Sequence, residues 1–181
     1  DLKEAILFES RFSDLLILER DPSFLELNDH IPSPFIKSIL AKSECPVILA
    51  PKKSTSIEKI VFCYNGSSSC LYAIKQFTYL FPQYRNKNIV LLEVRQPELN
   101  SIDRSAWILH HARTLAWVQA HYSHAECCFL QGDTSGELYN YFMNRKNIFI
   151  VMGAFGRAAF STLLKKSAAE LLIRKIDLPL F

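Results

Sequence analysis

The chain has 181 residues, 49% of them hydrophobic and 22% charged, with a net charge of +3. That length supplies one good core, or a core plus a fragment of a second. So small a charge, with no basic cluster, argues against a nucleic-acid partner, and no apolar run approaches the ~20 residues that a membrane helix needs.

Residues 1–13 read as the tail of a helix with Ala5, Ile6 and Phe8 as its apolar contacts, and residues 14–18 as a strand. No signal-peptide pattern opens the chain, and a start at Asp1 without methionine reads as a processed or cropped piece. After a polar, proline-broken loop, Pro34 suits a first helical turn, and Phe35, Ile36, Ile39 and Leu40 form one apolar stripe. Residues 45–50 make a second strand, and 51–56 a linker. From Ile57 a complete unit follows. Residues 59–64 are a strand, and Asn65-Gly66-Ser67-Ser68-Ser69 a turn with several possible helix caps. Leu71, Ile74, Phe77 and Thr78 begin a helical face. Residues 88–94 are a strand apolar throughout, as expected where both faces are covered. Asp103 is the expected cap of a long helix, with Ile108, Ala112, Leu115 and Tyr122 on its inner side and His110, Arg113, Thr114, Trp117 and His121 on the other. Residues 125–130 are a third strand, and Thr134-Ser135-Gly136-Glu137 reads as a capping box. Residues 148–152 are a fourth strand. Gly153 and Gly156 break it, Ser167 caps a last helix with Glu170 three residues on, and Leu178 starts a fifth strand.

Alternation of this kind predicts an α/β protein with a doubly wound, parallel five-stranded sheet in a Rossmann-like order 3-2-1-4-5. Ligands on such sheets sit beyond the carboxyl ends of the strands where the order reverses. The turn at Asn65-Gly66-Ser67 and the loop from Gly153 to Ser167 would then face one cleft. The two ends of the chain also read as copies. Sliding residues 14–46 along by 133 puts Asp14 on Asn147, Ile17 on Ile150, Lys42 on Lys175, Glu44 on Asp177 and Pro46 on Pro179 without a gap. In that register the first copy carries Arg20 and Ser23 where the second has Gly153 and Gly156. The expected division is therefore 1–50 as the back part of a degenerate first unit, 51–56 as linker, and 57–181 as a complete second unit.

Gly153, two residues, Gly156, and then Ser167 opening a helix resemble the glycine loop of the universal stress protein family, with Lys166 in place of that family's third glycine. Asn65-Gly66-Ser67 is similar to the Asp-Gly-Ser that commonly ends the family's first strand. The resemblance covers Ile57 to Phe181 as a full domain and residues 1–50 as part of a preceding one. It implies a stress-response protein that binds ATP or another adenine nucleotide, with no metal beyond magnesium carried on the nucleotide. It also implies self-association through fifth strands, as a homodimer or as a pair within one chain. By that analogy Asn65 lies near ribose and adenine, and Val94 offers backbone to adenine. Met152, Gly153 and Gly156 line the ribose-phosphate path, and Lys166 and Ser167 meet the outer phosphates. The alternative is a nucleotide-free module of the same fold, serving dimerisation or partner docking.

Other signals read as structural. Cys45, Cys63, Cys70, Cys127 and Cys128 are odd in number and lack C-x-x-C spacing, which fits reduced thiols in a cytoplasmic protein. Cys63 and Cys127 fall in apolar strands, and adjacent Cys127 and Cys128 point to opposite faces. His110, His111, His121 and His124 read as a solvated face, since His110 and His121 are about 16 Å apart along one helix. No catalytic role is expected: there is no G-x-S-x-G elbow, no G-x-x-x-x-G-K-[ST] loop, and no Ser-His-acid trio at the sheet's carboxyl edge. The strand from Leu178 and the strand at 45–50 are each the last of a unit, so each is an edge that needs a partner, and the two are expected to pair.

Overall fold

The computed structural model describes residues 1–20, 32–53, 56–95, 101–153 and 168–181, with 101–107 described by their backbone alone. The elements run α1 (Leu2–Glu9), β1 (Leu16–Glu19), α2 (Pro34–Lys42), β2 (Val47–Ala50), β3 (Lys59–Cys63) and α3 (Ser68–Leu80). A 3-10 turn (Pro82–Tyr84), β4 (Asn88–Arg95), α4 (Ser101–His121), β5 (His124–Gln131), α5 (Thr134–Phe142), β6 (Ile148–Met152) and α6 (Ala168–Lys175) follow. Among the described residues no helix is long and apolar enough to cross a membrane.

Four parallel strands form the main sheet in the order β5-β4-β3-β6, and β1 and β2 form a separate parallel pair. These are the first four positions of the expected 3-2-1-4-5. The fifth position holds one bridged residue, Leu180, rather than a full strand. Leu180 joins the two sheets. On one side it runs parallel to β6, with Ile150 N–H donating to Pro179 O and Phe181 N–H to Ile150 O, each at 2.9 Å. On the other it is antiparallel to β2, Leu49 N–H donating to Leu180 O at 2.7 Å and Leu180 N–H to Leu49 O at 3.1 Å. The two candidate edges meet within one chain, which satisfies backbone groups that would otherwise be left open.

Both faces of β3, β4 and β6 are covered, which is why these strands are largely apolar, whereas the edge strand β5 alternates between exposed and half-buried residues. Alternate residues of β3 show the division: Val61 and Cys63 pack with Leu138, Phe142, Leu172 and Ile173 of α5 and α6, and Ile60 and Phe62 with Ile74, Phe77 and Val118 of α3 and α4. Phe77 anchors the second layer, its ring centroid 5.0 Å from Phe149 and 5.3 Å from Phe181. Large aromatic faces of this kind contribute much of a core's burial.

Several expectations change. α1 buries no residue, and Phe8 is exposed, because the helix lies at the surface with its main contact to α2. α4 begins at Ser101, so Asp103 lies inside its first turn rather than before it. Its inner face is also rotated. His111, Thr114, Val118 and Tyr122 are buried, and Ile108 is 53% exposed. Polar residues face inward because buried polar partners await them on the sheet, so hydrogen bonding decides the rotation rather than apolar count. Asp133, not Thr134, caps α5, its carboxylate accepting from Gly136 N–H at 2.8 Å. α6 begins at Ala168, and Ser167 lies outside the described residues.

The 133-residue register relates the backbone hydrogen bonds at the two ends of the chain in part. Ser43 N–H donates to Ile39 O and Ile176 N–H to Leu172 O, so the ends of α2 and α6 keep the 133-residue register. The strands do not. Leu16 N–H donates to Pro46 O and Ile150 N–H to Pro179 O; the prolines obey the register and the donors fall one residue outside it. The strand donors are thus 134 residues apart and the helix ends 133, so the connection from strand to helix is one residue longer at the first end. Glu19, rather than Arg20, therefore stands where Gly153 does, and Ser23 lies outside the described residues. Arg20 is buried, its Nη2 donating to Leu178 O at 2.5 Å, which ties the end of β1 to the other half of the chain.

Candidate functional site

The carboxyl ends of β4, β3 and β6 lie side by side, with Cys63 in register with Leu92 on one side and Met152 on the other. Asn65 is two residues past Cys63, Val94 two past Leu92, and Gly153 one past Met152, so these four predicted residues share one rim. Gly156, Lys166 and Ser167 lie outside the described residues.

The turn after β3 is self-contained. Asn65 Oδ1 accepts from Ser67 N–H at 3.0 Å and from the Cys70 thiol at 3.1 Å, an Asx turn that fixes the chain's reversal. Gly66 has φ +83°, the left-handed region that favours glycine. Ser67 caps α3, its Oγ accepting from Cys70 N–H at 3.3 Å. The Ser67 and Ser69 hydroxyls lie 3.0 Å apart, and Ser69 Oγ donates to Gly153 O at 3.1 Å. The first turn of α3 is thereby fastened to the end of β6.

Gly153 is glycine because of that junction. A Cβ there would fall 2.3 Å from Ser69 C and 2.4 Å from both Cys70 N and Ser69 O. All three are backbone atoms, and the contact is far inside van der Waals range. Close packing by itself therefore requires glycine at this position. Asn65 is exposed with its carbonyl engaged in the turn. Among the described residues no group of His, Cys, Asp and Glu is arranged to hold a metal ion.

Beside the rim lies a cluster that the sequence reading missed. Glu93 on β4 is 4% exposed and His111 on α4 is 8% exposed. Glu93 Oε2 lies 3.0 Å from His111 Nδ1, and His111 Nε2 lies 3.4 Å from Cys127 Sγ on β5. Thr114 Oγ1, one turn along α4, donates to the Tyr64 hydroxyl at 3.1 Å. The Arg95 guanidinium sits over the Phe129 ring at 3.8 Å, and that ring is 5.0 Å from the His111 ring. Burial first, and the Arg95 charge second, lower the His111 pKa from its ordinary value of 6.5. Burial pushes the Cys127 thiol up, with Glu93 and Cys128 adding to it. His111 is therefore no part of a solvated face, though His110 and His124 are exposed. The available signal was Glu93 itself, a carboxylate in the middle of an otherwise apolar strand, which demands a buried partner.

A parallel, doubly wound sheet with a rim at the point where strand order reverses defines a class of α/β modules that take ligands at that crevice. Within that class, the chain has the fold of the universal stress proteins. No family model matches the sequence, and a search of curated proteins finds no match. Solved structures do match. The chain is similar over its whole length to a universal stress protein from Archaeoglobus fulgidus, with TM-score 0.71 and 16% identity, and covers 66% of that chain. It is similar over 71% of its length to the universal stress protein UspA from Lactobacillus plantarum, with TM-score 0.51, 13% identity and 98% of that chain covered. A universal stress protein in complex with cAMP matches over 70% of this chain and 96% of its own, with TM-score 0.51 and 14% identity. The chain thus spans about two thirds of the Archaeoglobus protein. At such identities the likeness establishes the fold.

Proposed function

We infer that this chain is a cytoplasmic stress-response protein of the universal stress family that binds ATP or another adenine nucleotide at the rim shared by β3, β4 and β6, without catalysing a reaction. The observation that carries the reading is the junction of two turns far apart in sequence: Ser69 on the first reaches Gly153, where the second begins. In this reading Asn65, Val94, Met152 and Gly153 form the adenine and ribose side. Gly156, Lys166 and Ser167 supply the phosphate side, with magnesium arriving on the nucleotide. A universal stress protein with this fold is solved in complex with cAMP, which supports an adenine nucleotide as the ligand class.

Residues 57–181 form the complete unit in this reading and residues 1–50 the back part of a degenerate one, joined by 51–56. Two facts support the division. Structures of one unit's length cover about the share of the chain that 57–181 occupies, whereas the Archaeoglobus protein covers all of it. The Leu49–Leu180 pairing also brings two last-strand segments together within one chain, which supports the intrachain form of the pairing.

A second reading rests on the same junction. Gly153 is accounted for by backbone packing, and the Asn65 carbonyl is engaged in its own turn, so neither residue needs a nucleotide. On that reading the module is nucleotide-free and docks partners. Calorimetry and thermal melting with ATP and magnesium, AMP and cAMP separate the two. A dissociation constant near 100 µM at 1 mM ligand stabilises the fold by about 1.4 kcal/mol, or about 3–5 °C. Asn65→Ala should remove that shift. No heat and no shift at millimolar nucleotide leave only the docking reading.

A further inference from the structure

The buried line Glu93, His111, Cys127 has the connectivity of a base-assisted thiol. The carboxylate and the sulfur lie against opposite nitrogens of one imidazole, at 3.0 Å and 3.4 Å. They cannot converge on one metal ion, but they can pass a proton. With Glu93 ionised, its carboxylate only accepts hydrogen bonds, so Nδ1 carries the ring proton toward it and the lone pair of Nε2 faces Sγ. A nucleophile within reach of a base, the base oriented by a third group, is the arrangement that activates a thiol.

The geometry points to Cys127 as a site of reversible oxidation by hydroperoxides, with His111 as its base and Glu93 as the residue that positions that base. Sγ attacks one oxygen of the hydroperoxide; a sulfur–oxygen bond forms as the oxygen–oxygen bond breaks. The thiol proton passes to His111 Nε2 and from there to the departing oxygen, which leaves as water or an alcohol. Sulfur is oxidised by two electrons to the sulfenic acid, and the peroxide is reduced by the same two. The surroundings favour this electrophile over an acyl substrate. Cys127 is half-buried in mid-strand, beneath α4 and in register with Leu91, so only a small reagent reaches it. Among the described residues no helix begins beside its sulfur to gather an oxyanion. A lowered His111 pKa keeps the ring neutral near pH 7 and able to take the proton. The step is thus base-assisted attack, not reaction of a standing thiolate.

The five cysteines of the protein are their own standard, so the first test needs no variant. The folded protein is treated with limiting hydrogen peroxide in the presence of dimedone, a trap for sulfenic acid, and each cysteine peptide is quantified by mass spectrometry. Cys127 should carry most of the adduct, ahead of half-buried Cys45 and Cys128 and of buried Cys63. His111→Gln and Glu93→Gln should each slow Cys127 labelling by about tenfold or more. The pH profile of iodoacetamide alkylation at Cys127 should lose, in both variants, the rise that follows deprotonation of His111; Glu93 and Arg95 of β4 and Tyr64 after β3 are ionisable groups near the ring among the described residues. Equal labelling of Cys127 and Cys128 in the unaltered protein overturns the assignment. So does an unchanged Cys127 rate in a folded His111→Gln protein.

Discussion

Replacing Gly153 by alanine tests the junction on which the site depends. The added Cβ would meet backbone atoms of Ser69 and Cys70 at 2.3–2.4 Å, and neither helix backbone nor strand end can rotate out of the way as a side chain can. Either α3 withdraws from β6 or β6 ends early. Overpacking of this kind costs about 1–3 kcal/mol, and separating the elements forfeits the Ser69–Gly153 hydrogen bond, worth about 1 kcal/mol. Alanine's stiffer unfolded chain returns about 0.4–1 kcal/mol. The net loss is about 2–3 kcal/mol, a large part of the 5–15 kcal/mol that holds a typical domain folded. With a urea slope of ~2 kcal/mol/M, the unfolding midpoint should fall by about 1–1.5 M. Two further glycines calibrate the measurement. Gly66→Ala meets nothing within 4 Å but must adopt φ +83°, which costs about 1–2 kcal/mol. Gly136→Ala sits in the first turn of α5 with its nearest neighbour, Asp133 Oδ2, at an ordinary 3.4 Å, and should be neutral or slightly stabilising. A midpoint for Gly153→Ala equal to that for Gly136→Ala would refute the close approach and, with it, the shared rim. The same arithmetic makes bulky Gly153 variants poor probes of nucleotide binding, because they disturb the rim under either reading.

Lys37 Nζ and Glu170 Oε1 lie 2.5 Å apart, each side chain about one third exposed. Lys37→Glu and Glu170→Lys should each lower stability by roughly 1 kcal/mol, and the double swap should restore most of it in a denaturation cycle; strict additivity would count against the pair. As pH falls through about 6.5, unfolded His111 takes a proton that the buried ring resists, so the unfolded state binds more protons and stability declines toward acid. In His111→Gln that part of the decline should vanish; parallel pH curves for the two proteins would show that the ring is not the cause.

Much of the sheet was legible because its strands are buried on both faces: runs such as Ile148–Met152 have no polar residue to mislead a reader. The rim followed from strand order and from glycine and serine at two turns. What stayed hidden depended on partners distant in sequence. The inner face of α4 could not be read from apolar spacing, since Ile108 points outward and His111 and Thr114 point to Glu93 and Tyr64. The role of Gly153 was ambiguous in sequence because a tight backbone contact and a phosphate contact require the same residue, and only the position of Ser69 distinguishes them. The one-residue slip between the repeats was invisible because prolines and helix ends align without a gap while the strand bridges do not.

The pairing of the two halves shows what covalent linkage permits. On the two-unit reading proposed above, α2 and α6 occupy equivalent places, and Lys37 and Glu170, 133 residues apart, contact one another. In a homodimer built on the same axis, that position would face a copy of itself, and either lysine or glutamate would be repelled. Once two copies share a chain, one can carry the cation and the other the anion, and the contact then favours the internal partner over a second molecule. Arg20 follows the same logic. It follows the residue equivalent to Gly153, and its buried guanidinium reaches Leu178 O in the other half. On the two-unit reading, the first unit thus reaches the second through a residue at the end of its own strand β1.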